Sequence, residues 1–520
     1  MEIVRDEAAP KRAAAIDYAG ILFALTAALA LAGPLAAAVF PAMVDLPNHW
    51  ARQAIVHALD TSSFYRDYFE YRWALNANLG MDLFVQGTAD ALGVDAAVRV
   101  WIFLAAFSPW FGIVFLGWAL HRQLLGPALW GALFVYNAPF QYGFVNYTFG
   151  LGLAFAFYGL WLLARTGSFW LRTLGFAVLA TVLLAQHFAA FGVYAVLVAA
   201  HETTQRLIAW RAGGRFPDRH AWIEAGRDAA IVAFQFIAAL AAFFAFSPTA
   251  ERVDAFMYSS WANKLRWLGT PLIFNDPPLE TVLAAAAALA LAAAWRWRLI
   301  ALRIDQAPGF FILVLAYLIL PHCALGSCLA DYRLPTAIAF FGLACFRFGD
   351  AASPRRRAAF ITAMLAVLLV RQADIARAWS ANDARIGELR AALSALPRGA
   401  HVLVATGGVA RGFVERDPLP IHWAVMGMAW NEIYVPMLFG AQHGSQSIHY
   451  RRPEDEKLNP TVAEALPQFA CKGYDHMLVF SPETFAMPAA FQAERIAGGA
   501  VFALFRITSQ RCPTPRSAPS

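Results

Sequence analysis

The chain has 520 residues, 59% of them hydrophobic and only 15% charged, with a mean hydropathy of +0.50. A soluble chain is about a quarter charged, so this one carries too little charge to cover a water-facing surface, and its apolar content excludes disorder. It reads as a polytopic membrane protein. The net charge of +6 is spread over the loops, where it bears on orientation and not on nucleic acid.

A bilayer crossing takes about 20 apolar residues, fewer where neighbours thin or tilt the span. The first candidate, 18–40, follows Arg5, Lys11 and Arg12. Its length suits an uncleaved anchor, although Ala37-Ala38 weakly matches a cleavage site. Ten further apolar segments fall near 97–120, 124–137, 147–164, 173–186, 188–202, 229–247, 279–295, 308–326, 334–346 and 358–371, which predicts about eleven transmembrane helices. The two around Gln186-His187 are short enough to be partial or re-entrant. Basic residues gather in alternate loops: Arg165 and Arg172; Arg206, Arg211, Arg215, Arg219 and Arg227; Arg296, Arg298 and Arg303; Arg355-Arg356-Arg357. The positive-inside rule then places the N-terminus in the cytoplasm, and an odd number of crossings places the tail outside.

The first outer loop, 42–97, contains an amphipathic pattern over 79–92, with Leu79, Leu83, Val85 and Ala89 opposite Asp82, Gln86 and Asp90. That pattern predicts an interfacial helix. Tyr65, Tyr68, Phe69, Tyr71 and Trp73 read as an aromatic belt at the same depth. A second outer loop spans 247–279. The tail, 375–520, changes character. Residues 386–396 have the period of an amphipathic helix, and 401–405, 476–480 and 501–507 are short apolar runs suited to buried strands. The chain therefore divides into a transmembrane module, 1–374, and a small extracytoplasmic α/β domain, 375–520. No internal repeat is visible, which argues against transporters built from duplicated halves. The five cysteines show no metal spacing. Cys323, Cys328 and Cys345 lie in or beside apolar segments, while Cys471 and Cys512 can pair if the tail is outside the cytoplasm.

The stretch Val44-Asp45-Leu46-Pro47-Asn48-His49 directly follows the first crossing. A carboxylate there sits in a lowered dielectric, where it can act as a base or hold a metal beside an apolar substrate. It can equally cap the next helix. Pro47 disfavours helix at Leu46 and predicts a turn; if helix resumes, His49 lies one turn beyond Asp45.

An acidic residue at the start of a long outer loop, after an N-terminal crossing and before many more crossings and an outer tail, resembles the GT-C glycosyltransferases over about residues 15–370. The resemblance implies an integral membrane enzyme of the inner membrane and cell envelope. Such an enzyme takes a sugar from a polyprenyl-phosphate donor to a glycan, lipid or protein acceptor, with Asp45 as catalytic base. The acidic pair usual in that family is absent, since Leu46 follows Asp45, and a divalent metal ion is the one candidate cofactor.

Sugar transfer also needs groups that hold the departing phosphate. Lys264 is one of only four lysines, and with Arg266 it lies in the stretch 261–267; either can hold phosphate or simply snorkel. Arg252 lies in the same loop. Arg333 can reach that phosphate or pair with Asp331. His187 can face an outer cavity or be a hydrogen-bonded core residue. Tyr136-Asn137, Gln141-Tyr142 and Asn146-Tyr147 make a polar-aromatic outer turn that suits sugar hydroxyls or a plain membrane interface. Asp45 is thus the catalytic candidate, with His49, His187, Lys264, Arg266 and Arg333 as binding candidates.

Several patterns carry nothing. His201-Glu202 lacks the second histidine of a zincin, since Gln205 stands there. Gly407-Gly408 and Gly412 lack dinucleotide spacing, and His422, His443 and His449 have no ligand spacing. A transporter or flippase would place polar groups midway through several spans, but here they cluster at outer ends. A non-catalytic partner in envelope polysaccharide assembly and, more remotely, an acyltransferase using His187 complete the alternatives.

Overall fold

The computed structural model describes residues 18–123, 125–164, 167–168, 170–212, 219–247, 256–323, 328–349, 353–407, 422–438, 447–452 and 461–512. Arg5, Lys11, Arg12, Arg165, Arg215, Arg252, Gly408, Gly412 and His443 lie outside them.

The elements before the tail run α1 (Tyr18–Ala37), α2 (Leu46–Ala58), α3 (Ser63–Tyr68), β1 (Phe69–Tyr71), α4 (Gly80–Leu92), α5 (Val94–His121), α6 (Ala138–Tyr142), α7 (Val145–Leu163), α8 (Phe176–Gln186), α9 (Phe188–Ala212), α10 (Arg219–Phe246), α11 (Trp261–Trp267), α12 (Pro277–Arg296), β2 (Ile300–Leu302), α13 (Ala307–Ile319), α14 (Ala330–Ala344) and β3 (Phe346–Phe348). Then α15 (Pro354–Ser394) runs into a tail of β4 (Val402–Thr406), β5 (Ile448–Tyr450), β6 (Thr461–Val462), β7 (His476–Phe480), β8 (Phe491–Gly498) and β9 (Phe502–Gln510). Among the described residues six helices are long and apolar enough to cross a membrane: α1, α5, α7, α10, α12 and α15. The stretches Leu171–Gln186 and Ile304–Ile319 are shorter apolar helices. The protein is a multi-pass membrane protein.

Ten of the eleven apolar segments are α-helical. The exception is 124–137, which forms a 3-10 helix over Pro127–Phe134. At about 2 Å per residue eight residues cover only about 16 Å, half a hydrocarbon core, and this piece is buried among its neighbours. By contrast α10 and α12 bury only 22% of their most apolar stretch, which leaves the rest to lipid. Inside the bundle, α5 and α7 approach at Gly112 and Gly152, where a Cβ on Gly112 would come within 2.3 Å of the Gly152 carbonyl oxygen. Small residues permit that contact, and packing of this kind drives helix association where lipid removes the hydrophobic drive.

The 41 residues of α15 extend for about 60 Å, twice the thickness of the apolar core. The helix therefore runs unbroken from the membrane into the tail, through residue 374. Its distal turns bury Ile386, Leu389 and Leu393. The tail sheet has the order β6-β4-β7-β9-β8; β4 is parallel to β6 and β7, and β9 is antiparallel to β7 and β8. The apolar runs read from sequence are strands of this sheet, and β4 and β7 are buried throughout. Cys471 pairs with Cys512, and Cys323 with Cys328.

Two expectations for the first outer loop are corrected. Strand β1 pairs with β5, so this loop is stitched to the tail. The Tyr65 hydroxyl donates to the Met428 carbonyl at 2.8 Å, and Tyr68 stacks on Tyr434 at 4.4 Å. Tyr65 and Phe69 are buried, and only Trp73 of the five aromatics is exposed. The aromatic run is largely an interdomain seam, because a tyrosine ring and its hydroxyl find both apolar and polar partners there. In α4, Leu79, Val85 and Ala89 are buried and Asp90 is exposed as expected, but Asp82 is buried and Leu83 is 52% exposed, an inversion at these two positions. An ion pair with Arg52 explains the inversion.

Candidate functional site

Asp45 stands at the N-cap position of α2, but with helical backbone angles, φ −89° and ψ −10°, and its carboxylate makes no capping hydrogen bond. Side-chain capping needs extended angles at that residue. Helix begins at Leu46 with Pro47 in the first turn, where a missing N–H does no harm, so the turn expected at Leu46 falls one residue earlier. His49 follows one turn on, its N–H donating to the Asp45 carbonyl at 3.2 Å. The carboxylate is left for other use.

What fixes Asp45 is a second segment. The Val44 N–H donates to the Gln141 carbonyl at 3.1 Å and the Asp45 N–H to the Tyr142 carbonyl at 2.9 Å. These carbonyls end α6, which Asn137 caps by accepting the Phe140 N–H at 2.9 Å. Gly143, at φ +103°, then turns the chain into α7. Tyr136, Asn137 and Gln141, candidates for sugar hydroxyls, are buried and hydrogen-bonded to main chain: Tyr136 to Leu31, Asn137 to Phe134 and Gln141 to Tyr136.

A cavity of about 100 Å³ opens at this point, lined by Asp45, His49, Asn78, Phe144, Val145, Asn146, Tyr147, His187 and Arg333. The Tyr147 hydroxyl donates to the Arg333 carbonyl at 2.8 Å, and the Arg333 guanidinium lies 4.1 Å from the centre of the Phe144 ring. Arg333 Nη1 donates to the Cys328 carbonyl at 3.2 Å, while Nε is buried without a partner among the described residues. His187 sits in extended conformation at the break between α8 and α9, its ring 5.4 Å from that of Tyr147. Its Nδ1 accepts the Ala189 N–H at 3.1 Å.

Burial pushes the Asp45 carboxyl up from 3.8 to about 7, and the Arg333 charge pulls the other way. Burial, with Arg52 as a lesser cause, pushes His49 down to about 3, so that ring is neutral. A carboxyl poised near neutrality beside one guanidinium can take a proton from a hydroxyl while the cation faces a neighbouring anion.

Of the sequence candidates, the cavity gathers Asp45, His49, His187 and Arg333. Lys264 is elsewhere. Its ammonium donates to the Tyr317 carbonyl at 2.9 Å, the Leu320 carbonyl at 3.1 Å and Asp331 Oδ2 at 3.0 Å, which uses all three of its N–H groups. The other oxygen of Asp331 meets His322 Nδ1 at 3.0 Å. Asp331 is thus committed to Lys264 and His322, and Arg333 faces the cavity. Arg266 is exposed on α11 and outside the cavity lining. Sequence reasoning missed Asn78 and Gly143. Asn78 stands in the loop with no periodic signal; Gly143, within the polar-aromatic turn, offered only its residue type. Among the described residues no group of three or more His, Cys, Asp or Glu is placed to hold a metal.

The architecture has counterparts among solved structures. ArnT from Cupriavidus metallidurans in the apo state superposes with a TM-score of 0.56 at 11% identity, over 94% of this chain and 98% of that one. The same protein bound to undecaprenyl phosphate gives 0.54 at 12% identity, over 93% and 97%. The chain shares the fold of ArnT. The match runs through tail as well as membrane helices, beyond the stretch on which the sequence resemblance rests. No family model matches the chain, and no curated protein matches it in sequence.

Proposed function

We propose that the protein is an inner-membrane glycosyltransferase that moves a sugar from a polyprenyl-phosphate donor to an extracytoplasmic acceptor. One observation carries the reading: a half-buried carboxylate that makes no capping hydrogen bond and a guanidinium whose buried Nε has no partner among the described residues share one cavity at the mouth of the first crossing. ArnT, which has this fold, was solved with undecaprenyl phosphate bound, and that lipid supports the donor class.

Asp45 takes the proton of an acceptor hydroxyl, whose oxygen attacks the anomeric carbon. The new glycosidic C–O bond forms as the bond from that carbon to the phosphate oxygen breaks, with inversion, and the polyprenyl phosphate leaves as an anion facing Arg333. Lys264 and Arg266 take no part, because the first is saturated by protein acceptors and the second lies off the cavity. The N-terminus is cytoplasmic and the tail extracytoplasmic, which agrees with two disulfides on the outer side.

Mass spectrometry of lipid extracts tests this in cells with the wild-type protein, without it, and with Asp45→Asn. One polyprenyl-phosphate sugar should accumulate in both deficient strains. Accumulation on deletion alone would remove Asp45 from the chemistry.

A further inference from the structure

We infer that the cavity is an oxyanion site built from N–H donors, in which His49 and His187 serve as neutral hydrogen-bond donors and not as metal ligands. A neutral imidazole has one N–H and one lone pair, and the partner of one nitrogen dictates the state of the other. A metal-binding histidine offers the lone pair of one nitrogen while the other donates to a carbonyl or carboxylate. Here both rings are arranged the opposite way. His49 Nδ1 lies 3.2 Å from Arg52 Nη1, and a guanidinium can only donate. His187 Nδ1 accepts the Ala189 N–H. In both rings Nδ1 must supply the lone pair, so the hydrogen resides on Nε2 and no lone pair remains there for a cation.

The arrangement at His49 is locked. Arg52 is 1% exposed and held by Asp82 through Nε–Oδ1 and Nη2–Oδ2 bonds of 3.1 Å each. Asn78 follows the same logic. Its Oδ1 accepts from Asn146 Nδ2 at 2.9 Å, and Asn146 is oriented by the Met81 N–H on its own Oδ1 at 2.9 Å. The amide hydrogens of Asn78 are what remain for the cavity. With Arg333, four groups present N–H, and Asp45 is the one carboxylate in the lining. The complementary ligand is an oxyanion ester next to one hydroxyl: the anion accepts from the donors and the hydroxyl gives its proton to Asp45. A divalent metal does not fit, since beside one carboxylate the lining offers only the oxygens of Asn78, Asn146 and Tyr147, each already engaged in a hydrogen bond. The donor geometry stands on these bonds alone; the identity of the anion's carrier rests on the transferase reading.

The test measures binding of undecaprenyl phosphate and, separately, of inorganic phosphate to the full chain in detergent. It compares the wild type, His187→Ala and His187→Gln, with EDTA or with Mn²⁺; gel filtration and melting confirm folded variants. His187→Ala should bind undecaprenyl phosphate about tenfold more weakly, the loss expected for one hydrogen bond to a charged group. His187→Gln retains an N–H and should recover most of it. EDTA and Mn²⁺ should change nothing. Loss of binding in EDTA with recovery in Mn²⁺ would overturn the inference, as would both variants binding like the wild type, an outcome that leaves the transferase reading intact. Binding of inorganic phosphate alone, weakened in His187→Ala, upholds the donor site and removes the lipid carrier. Binding of neither probe removes both.

Discussion

The backbone of Asp45 fills the space that a side chain on residue 143 would need: a Cβ there would lie 2.8 Å from Asp45 N, 2.9 Å from its Cβ and 3.0 Å from its Cα. Gly143 also has φ +103°, a region that L side chains avoid. The candidate base thus reaches its place because a different segment, nearly a hundred residues away, carries no side chain at that point.

Gly143→Ala should push Asp45 off its position while leaving the helix bundle assembled. Misplacing a reacting group by about 1 Å costs roughly a hundredfold in rate. The lipid-extract assay should therefore show Gly143→Ala accumulating the same donor as Asp45→Asn, with membrane insertion unchanged. Normal turnover would mean that Asp45 is not positioned by this contact.

The pH dependence of stability should carry the signature of Asp45. Burial raises its carboxyl to about 7 from 3.8, so between these values the folded chain binds a proton that the unfolded chain releases. Stability from this group is complete at the acid end and lost as pH rises through about 7. Asp45→Asn removes that slope, and its melting temperature should gain on the wild type from about pH 4 to 7 and keep that gain above it. Turnover requires the ionised carboxylate and should rise through about pH 7 in the wild type. Parallel melting curves for the two proteins would show that the carboxyl is not desolvated.

Lys264 and Arg266 should behave oppositely although they are two residues apart. Asp331→Asn leaves the Lys264 ammonium buried without its counter-charge, which costs about 3–5 kcal/mol. Arg266→Gln alters an exposed side chain and should stay within about 0.5 kcal/mol of wild type. Thermal melting in detergent separates them, and a large loss in the Arg266 variant would contradict the assigned roles.

The disulfides test orientation. Cys471 and Cys512 close a loop with a separation of 41, which the chain-entropy account values at about 4 kcal/mol. A membrane-impermeant maleimide on intact cells should label neither residue until a reductant is added, and reduction should lower the melting temperature. Free thiols at both positions in untreated cells would place the tail in the cytoplasm.

Much of the fold was legible because its signals are local. The runs that became α1, α5, α7 and α12 are apolar over the length of a bilayer, β7 is a short apolar run between polar stretches, and the turn at His187 interrupts two helices in sequence. Asp45 stood out for a comparable reason, as a charge directly after an apolar span. Composition and periodicity report such features residue by residue. They do not report where a polar group finds its partner. Lys264 looked free to bind phosphate until the fold set it against Asp331, 67 residues on; Asp82 looked solvent-facing until Arg52 met it from 30 residues away; and Tyr65 looked lipid-facing until its hydroxyl met Met428, 363 residues distant. The sequence by itself determined the membrane class, the helices and the candidate base. Tertiary structure alone decided which charges are spent on the fold and which remain for a ligand, because a buried polar group must be paired and its partner is chosen by contact in space and not by distance along the chain.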